Sequence, residues 1–274
     1  MVAIVTDSTA YLSKREAQEL SIRVVPMSYT VDGQVFHETY ADCNGNFECI
    51  INESKYSLST SQAPVSAFLS TFQELLRQGF EVLCLTVSSR LSGTYTSAAL
   101  AAKALGNEHI VIVDSLSAAG GMYFLIREAK AMAVAGMDLD QIASQLLSLR
   151  EKISIAFSVD DIDLVRKGRR FGRVRQSMST MLNRRPLFIL QDGAIVSDMM
   201  VRGKGEMIRL LAGKVPSGVH EAVIHHIDRR EIALGIAAEL KRIRPDIRIE
   251  TRTIGPTLSI HLGIGAVGIV WMNN

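Results

Sequence analysis

The sequence predicts a two-part protein. An N-terminal α/β domain over residues 1–151 holds an open parallel sheet flanked by helices. A C-terminal α+β domain over 152–274 holds a roughly six-stranded, largely antiparallel sheet. Three observations carry this reading. Short apolar strands alternate with helices through the first half, the pattern of a parallel sheet covered on both faces. After Glu151 the rhythm changes to six strand candidates with fewer helices between them. And 274 residues, 47% of them hydrophobic and 21% charged, exceed one average domain and suffice for more than one core.

The elements follow in order. "VAIVTD" is a strand and "STAYLSKREAQEL" a capped helix. "RVVPMSYTVDGQVFHE" is extended chain folded at Asp32-Gly33, the strongest short hairpin signal. The polar stretch Thr39 to Ser59 is a loop with room for a short helix. "PVSAFLSTFQELLRQG" is an amphipathic helix opened by Pro64 and closed by Gly79. "EVLCLTV" is a buried strand, the alanine-rich run after it a helix, and "HIVIVD" a further strand. Helices follow from about Gly120 to Gly136 and from Asp138 to Glu151. In the second half "ISIAFSV", "PLFIL", "AIVSDMMVR", "EAVIHHI", "RIETRTI" and "AVGIVWM" are strands. Gln191-Asp192-Gly193-Ala194 turns the second of them back antiparallel onto the third. "GEMIRLLAGKV" and "REIALGIAAELKRI" are helices.

Bulk properties exclude several classes. A formal charge of +2 gives no global drive toward nucleic acid. The run from Arg166 to Arg185 is locally basic and holds no acidic residue, but only Phe171 interleaves as an aromatic, so stacking platforms for a single strand are lacking. This run suits a solvated face, an acidic protein partner or transient contact with an anionic membrane. The start "MVAIVTDSTA" has no basic leader, and no stretch approaches the roughly 20 apolar residues of a membrane span. Three cysteines, Cys43, Cys49 and Cys84, make no disulfide framework, and a reducing cytoplasm is the expected compartment. No metal or cofactor is expected. His225 and His226 are adjacent on a strand and point to opposite faces.

The informative feature is a convergence of hydroxyls. Three strands of the first domain end alike, at Asp7-Ser8-Thr9, at Ser88 onward in "SSRLSGTYTS", and at Asp114-Ser115. A fourth cluster, "SLSTSQAP", stands immediately before the Pro64 helix and carries Thr60 and Ser61. One such loop is read as helix N-capping by Ser92 or Thr94. Four loops that a parallel sheet can gather at one edge are read as a ligand site in the crevice outside the strand ends. Neither GxGxxG nor GxxxxGK[ST] is present. Neutral O–H and N–H donors with few cations suit one modest negative charge, such as a carboxylate.

These residues resemble a known family. "DSTAYL", "TSQAP", "SSRLSGTYTSA", "VDSLSAAGG", "LVRKGRRFG", "RRPLFILQDGAI" and "HLGIGAVGI" occur in the order and at about the spacing of DegV-like proteins, over essentially the whole chain. The resemblance implies a noncatalytic bacterial carrier of one long-chain fatty acid, held in an apolar tunnel between the domains. It implies that Thr60 and Ser92 hold the carboxylate, with Ser61, Gly93 and His261 as further ligand-binding candidates. It also implies a partner kinase that phosphorylates the bound acid, with Arg202 at the position that engages it. Departures are local. "TSQAP" stands for the usual "TSQPS", and His261-Leu262-Gly263-Ile264-Gly265 for "HTGPG".

Two other classes compete. Ser92, His261 and Asp7 or Asp114 supply the residue types of a serine hydrolase acting on acyl esters, though the GxSxG elbow is absent. "SRLSGTY" also partly resembles the hydroxyl loop of sugar-phosphate-binding domains, a fold that would not need the six-stranded second half.

Overall fold

The computed structural model describes residues 1–45, 47–52, 57–106, 108–160 and 184–273. The chain divides into two compact units, Met1–Gly45 with Tyr56–Glu151 and Asn46–Lys55 with Lys152–Asn274.

The first unit opens with β1 (Val2–Asp7), a 3-10 turn (Ser8–Ala10), α1 (Lys14–Glu19), β2 (Ile22–Val25), β3 (Met27–Val31) and β4 (Gln34–Glu38). The next helix, α2 (Phe47–Asn52), belongs to the second unit, so this part of the 1–151 stretch groups differently from the sequence expectation. The first unit continues with β5 (Leu58–Ser61), α3 (Val65–Arg77), β6 (Glu81–Thr86), α4 (Thr94–Leu105), β7 (Ile110–Asp114), α5 (Gly120–Val134) and α6 (Leu139–Arg150).

Four strands form a parallel sheet in the order β2-β1-β6-β7. Its central strands are apolar on both sides because both faces are covered. Val5, Val82 and Cys84 pack with Phe68, Phe72 and Leu75 of α3 and Ala98 and Ala101 of α4. The alternating partners Ile4, Leu83 and Leu85 face the other way, where α5 packs on β1 and β6. Phe68, Phe72 and Leu75 fall at i, i+4 and i+7, which is why one stripe of α3 is inside. Phe68 and Phe72 are fully buried, and truncating either to alanine would cost roughly 3–5 kcal/mol.

A separate antiparallel sheet runs β4-β3-β5. Asp32 and Gly33 both have positive φ, 47° and 84°, the conformation a two-residue hairpin needs. β5 is a difference from the sequence expectation. Leu58-Ser59-Thr60-Ser61 is not loop but an edge strand paired with Ser28–Val31 of β3. Its hydroxyl side chains show no apolar alternation, so the period of two was invisible.

The second unit holds β8 (Ile153–Ser158), β9 (Arg184–Gln191), β10 (Ala194–Arg202), α7 (Gly203–Gly213), β11 (Glu221–His226), α8 (Arg230–Ile243), β12 (Arg248–Thr253), α9 (Pro256–Leu262) and β13 (Val267–Met272). Its six-stranded sheet runs β10-β9-β8-β13-β11-β12, with only β11 and β12 parallel. Asp192 and Gly193, at φ 49° and 75°, repeat the hairpin geometry between β9 and β10. One face carries the core, where Ala156, Ile224, Ile269 and Trp271 meet Met207 and Leu211 of α7 and Ile232, Ile236 and Leu240 of α8. Among the described residues no helix is long and apolar enough to cross a membrane.

Candidate functional site

The loop between β6 and α4 is pinned from behind by two carboxylates. Asp7, at the end of β1, is fully buried. Its Oδ2 accepts from Val87 N–H at 2.7 Å, and its Oδ1 accepts from the N–H and hydroxyl of Thr9. Burial raises the Asp7 pKa, and its hydrogen bonds act in the opposite direction. Asp114, at the end of β7, accepts from Ser89 N–H at 3.1 Å and Leu116 N–H at 3.0 Å. Both aspartates therefore serve the loops. Among the described residues no cluster of three metal-ligating side chains exists.

Between these anchors the chain turns on Ser88, whose carbonyl accepts from Leu91 and Ser92 N–H. Ser92 is half-buried, and its Oγ lies 2.9 Å from Thr94 Oγ1. Thr94 Oγ1 also has Met27 Sδ as an acceptor at 3.2 Å, so either hydroxyl can donate in the Ser92–Thr94 pair and Ser92 is free to do so. Hydroxyls rotate, and an incoming oxyanion can take the Ser92 proton in place of Thr94. Ser92 also accepts, at 3.3 Å, from Thr94 N–H.

Helix ends add to this. Helices α1 and α6 carry complete capping boxes, Ser13 with Glu16 and Asp138 with Gln141. By contrast α3, α4 and α5 start at Pro64, Gly93 and Ala119 without any side-chain cap. α4 and α5 follow β6 and β7 directly, and α3 precedes β6, so all three start at the strand C-terminal edge. First-turn N–H groups and the positive dipole end favour an anion there. The expected capping of α4 by Ser92 or Thr94 thus gives way to Gly93.

Thr60 enters through β5. It lies directly opposite Tyr29, and in β3 Tyr29 shares a face with Met27. Since Met27 Sδ accepts from Thr94, Thr60 is on the face of the small sheet that meets the start of α4. Met27 is fixed in turn by Ser8, whose Oγ accepts from Met27 N–H and donates to the buried Glu38. The exposed Ser61 points to the opposite face of β5, away from Thr60.

One residue escaped the sequence reading. Gln62, two positions beyond Thr60, donates from Nε2 to Ser97 Oγ at 2.9 Å, and its Oε1 fills the place where a Cβ on Gly93 would sit. The only signal for it was its place in "TSQAP".

The remaining candidates lie in the second unit. His261 is half-buried in the last turn of α9, a seven-residue helix opened by Pro256 and closed by Gly263 at φ 78°. This helix is not among the elements read from the sequence. A helix of two turns is too short for periodicity to reveal. Arg202 is exposed at the end of β10, and its N–H donates to Glu206 Oε2. Of the basic run, Arg166 to Arg175 lie outside the described residues. Arg184 is exposed, and Arg185 is ion-paired with Asp160.

A two-unit chain of this topology, with a neutral hydroxyl site at uncapped helix starts, has the build of a binder for one small anionic group. Its family follows from comparison. The family described as uncharacterised DegV proteins matches residues 1–274, and the chain belongs to the DegV family. A DegV domain-containing protein of Listeria monocytogenes is 30% identical over 277 residues, covering 98% of each chain. Among solved structures, a DegV lipid-binding protein of Thermotoga maritima is 27% identical with a TM-score of 0.87, covering 99% of this chain and 98% of its own. A second Thermotoga maritima protein, described as having a fatty acid binding function, is 26% identical with a TM-score of 0.86, covering 100% and 99%.

Proposed function

We propose that this chain is a noncatalytic carrier of one long-chain fatty acid, with the carboxylate held by Thr60 and Ser92. The observation that carries the reading is Ser92, a half-buried hydroxyl beside a helix start that has no side-chain cap and no acidic residue in its first turn. The two Thermotoga maritima relatives, one lipid-binding and one with a fatty acid binding function, support the same ligand class. Gly93 offers its backbone N–H as a further donor, and Ser61, on the opposite face of β5 from Thr60, is left out of the head-group contacts.

The energetics divide by part. Each hydrogen bond to the charged head contributes on the order of 1.5–3 kcal/mol, and each buried methylene about 0.8 kcal/mol. The tail therefore supplies most of the affinity and the hydroxyls the orientation. The bound acid is presented to a fatty-acid kinase that converts it to an acyl phosphate, with Arg202 on the docking surface.

A hydrolase is the less favoured reading. A serine nucleophile needs a base within hydrogen-bond reach, and the partner of Ser92 Oγ is the hydroxyl of Thr94. The test is mass spectrometry of lipid extracted from purified protein. Long-chain fatty acid is expected in the wild type and is diminished in Ser92→Ala and Thr60→Ala. A folded Ser92→Ala protein with a full complement would take Ser92 off the head group. A sugar phosphate in the wild type would replace the reading outright.

A further inference from the structure

Gly93 poses a question that its backbone does not answer. Its φ of −74° and ψ of 4° suit any residue, so glycine is not there for conformational freedom. What a side chain would meet here is the Gln62 amide. A Cβ at this position would overlap Gln62 Oε1 and lie 2.8 Å from Gln62 Cδ. The other end of the same amide, Nε2, donates to Ser97 Oγ at 2.9 Å, and Ser97 is buried in the first turn of α4.

This contact spans two segments that nothing in the sheet ties together. β5 carries Thr60 and lies at an edge of its sheet, paired among the described residues with β3 alone. The Ser88–Gly93 loop carries Ser92 and is pinned from the parallel sheet by Asp7 and Asp114. Three residues, Gln62 to Pro64, separate β5 from α3, and of these Ala63 is fully buried in the α3–α4 core. Gln62 itself is exposed overall, so its amide contributes no apolar core and its removal opens no cavity.

We propose that Gln62 is a positioning residue, a latch that holds the Thr60 strand against the Ser92 loop and thereby sets selectivity for a carboxylate head group. The inference rests on the reading of Thr60 and Ser92 as head-group donors. Two hydroxyls on separate segments grip one carboxylate more tightly when their separation is fixed before the ligand arrives. Preorganisation of this kind lowers the ordering cost that binding otherwise carries. The glycine at 93 and the glutamine at 62 are then one device. The missing side chain of the first makes the seat for the second.

The test compares palmitic acid with palmityl alcohol, which share a tail and differ in the head group, for wild type, Gln62→Ala, Gly93→Ala and the double variant. Thermal unfolding is followed in parallel. Gln62→Ala is expected to raise the Kd for the acid roughly tenfold, the loss of about one charge-assisted hydrogen bond, while the Kd for the alcohol moves little. Gly93→Ala, whose new Cβ evicts the amide, is expected to do the same. The double variant adds little to either, because both changes release one latch. Wild-type selectivity retained in Gln62→Ala would overturn the proposal. So would an equal loss for both ligands with a lowered Tm, the mark of a merely structural role. Ser92→Ala separates the two layers. If it loses the acid and Gln62→Ala does not, only the latch is wrong. If wild type binds no palmitic acid, the carrier reading fails and the latch with it.

Discussion

Asp7 Oδ2 accepts the backbone N–H of Val87 at 2.7 Å, and this bond ties the end of β1 to the residue from which the Ser92 loop departs. The same carboxylate accepts the N–H and the hydroxyl of Thr9. Three donors thus converge on one buried group, and all of them are satisfied by an acceptor with two oxygens. An amide is not an equivalent replacement, because its NH2 must face one of those donors.

Asp7→Asn is therefore expected to destabilise the protein by roughly 1–3 kcal/mol, the cost of leaving buried groups unpaired. The loss should appear as a lower midpoint in urea with the m-value unchanged. Fatty-acid binding weakens as well, since the loop carrying Ser92 loses its tether. An unaltered midpoint would show that Val87 and Thr9 find other partners and that Asp7 does not organise the loop.

His225 gives a pH dependence with a definite sign. It is 2% exposed, and among the described residues neither ring nitrogen has a hydrogen-bond partner. Its neighbours across the sheet are Gly268 and Arg252. Burial first, then the charge of Arg252 and neighbouring His226, push its pKa from 6.5 down to about 3. A folded-state value below the unfolded one means that the unfolded chain binds the extra proton between these limits. Stability is then fully present above about pH 6.5 and is lost as pH falls toward 3, by about 1.4 kcal/mol per unit for one group. His225→Phe places an apolar ring in the row that already holds Phe157 and Phe188, and removes the titration. Urea unfolding at pH 7, 6 and 5 should show a slope shallower by one proton in the variant. Parallel slopes would assign the acid sensitivity to other groups.

Legibility in the sequence followed the range of the interactions. Both Asp-Gly hairpins were readable because a two-residue turn is specified by its own residues, and Asp32-Gly33 and Asp192-Gly193 both adopt positive φ. The parallel sheet was readable because β1, β6 and β7 are apolar runs separated by helices. β5 and α9 were not, since one has no apolar alternation and the other has only seven residues. The grouping of α2 with the second unit depends on its packing against α9, more than 200 positions away, and no local pattern encodes it. The same holds within the candidate site. Ser92 announces itself in a hydroxyl-rich loop, whereas Gln62 acquires meaning only when Gly93 is found beside it.

The proposed carrier performs no ester chemistry of its own, and the side-chain partner of Ser92 Oγ is a hydroxyl, not a base. The hydroxyl of Thr94, 2.9 Å from Ser92 Oγ, is no base at neutral pH. Purified protein incubated with acyl esters of several chain lengths should liberate no fatty acid above the uncatalysed background. Steady release that vanishes in Ser92→Ala would replace the carrier by a hydrolase.

The proposed docking role of Arg202 can be tested separately from lipid binding. It is exposed and terminates β10, and the hydrogen bond at this position comes from its backbone N–H to Glu206, which alanine preserves. Arg202→Ala should therefore leave Tm and fatty-acid affinity unchanged. A guanidinium is suited to a partner surface because its planar fork pairs bidentately with carboxylate or phosphate. Removing a partner-facing fork weakens docking, so acyl-phosphate formation by a fatty-acid kinase should fall most steeply when the carrier is limiting and recover at high carrier concentration. Arg202→Lys keeps the charge but loses the fork, and is expected to restore only part of the rate. Undiminished transfer by Arg202→Ala at limiting carrier would remove Arg202 from the interface. The exposed Arg184, which faces Arg202 across the β9–β10 pair, would then be the next position to substitute.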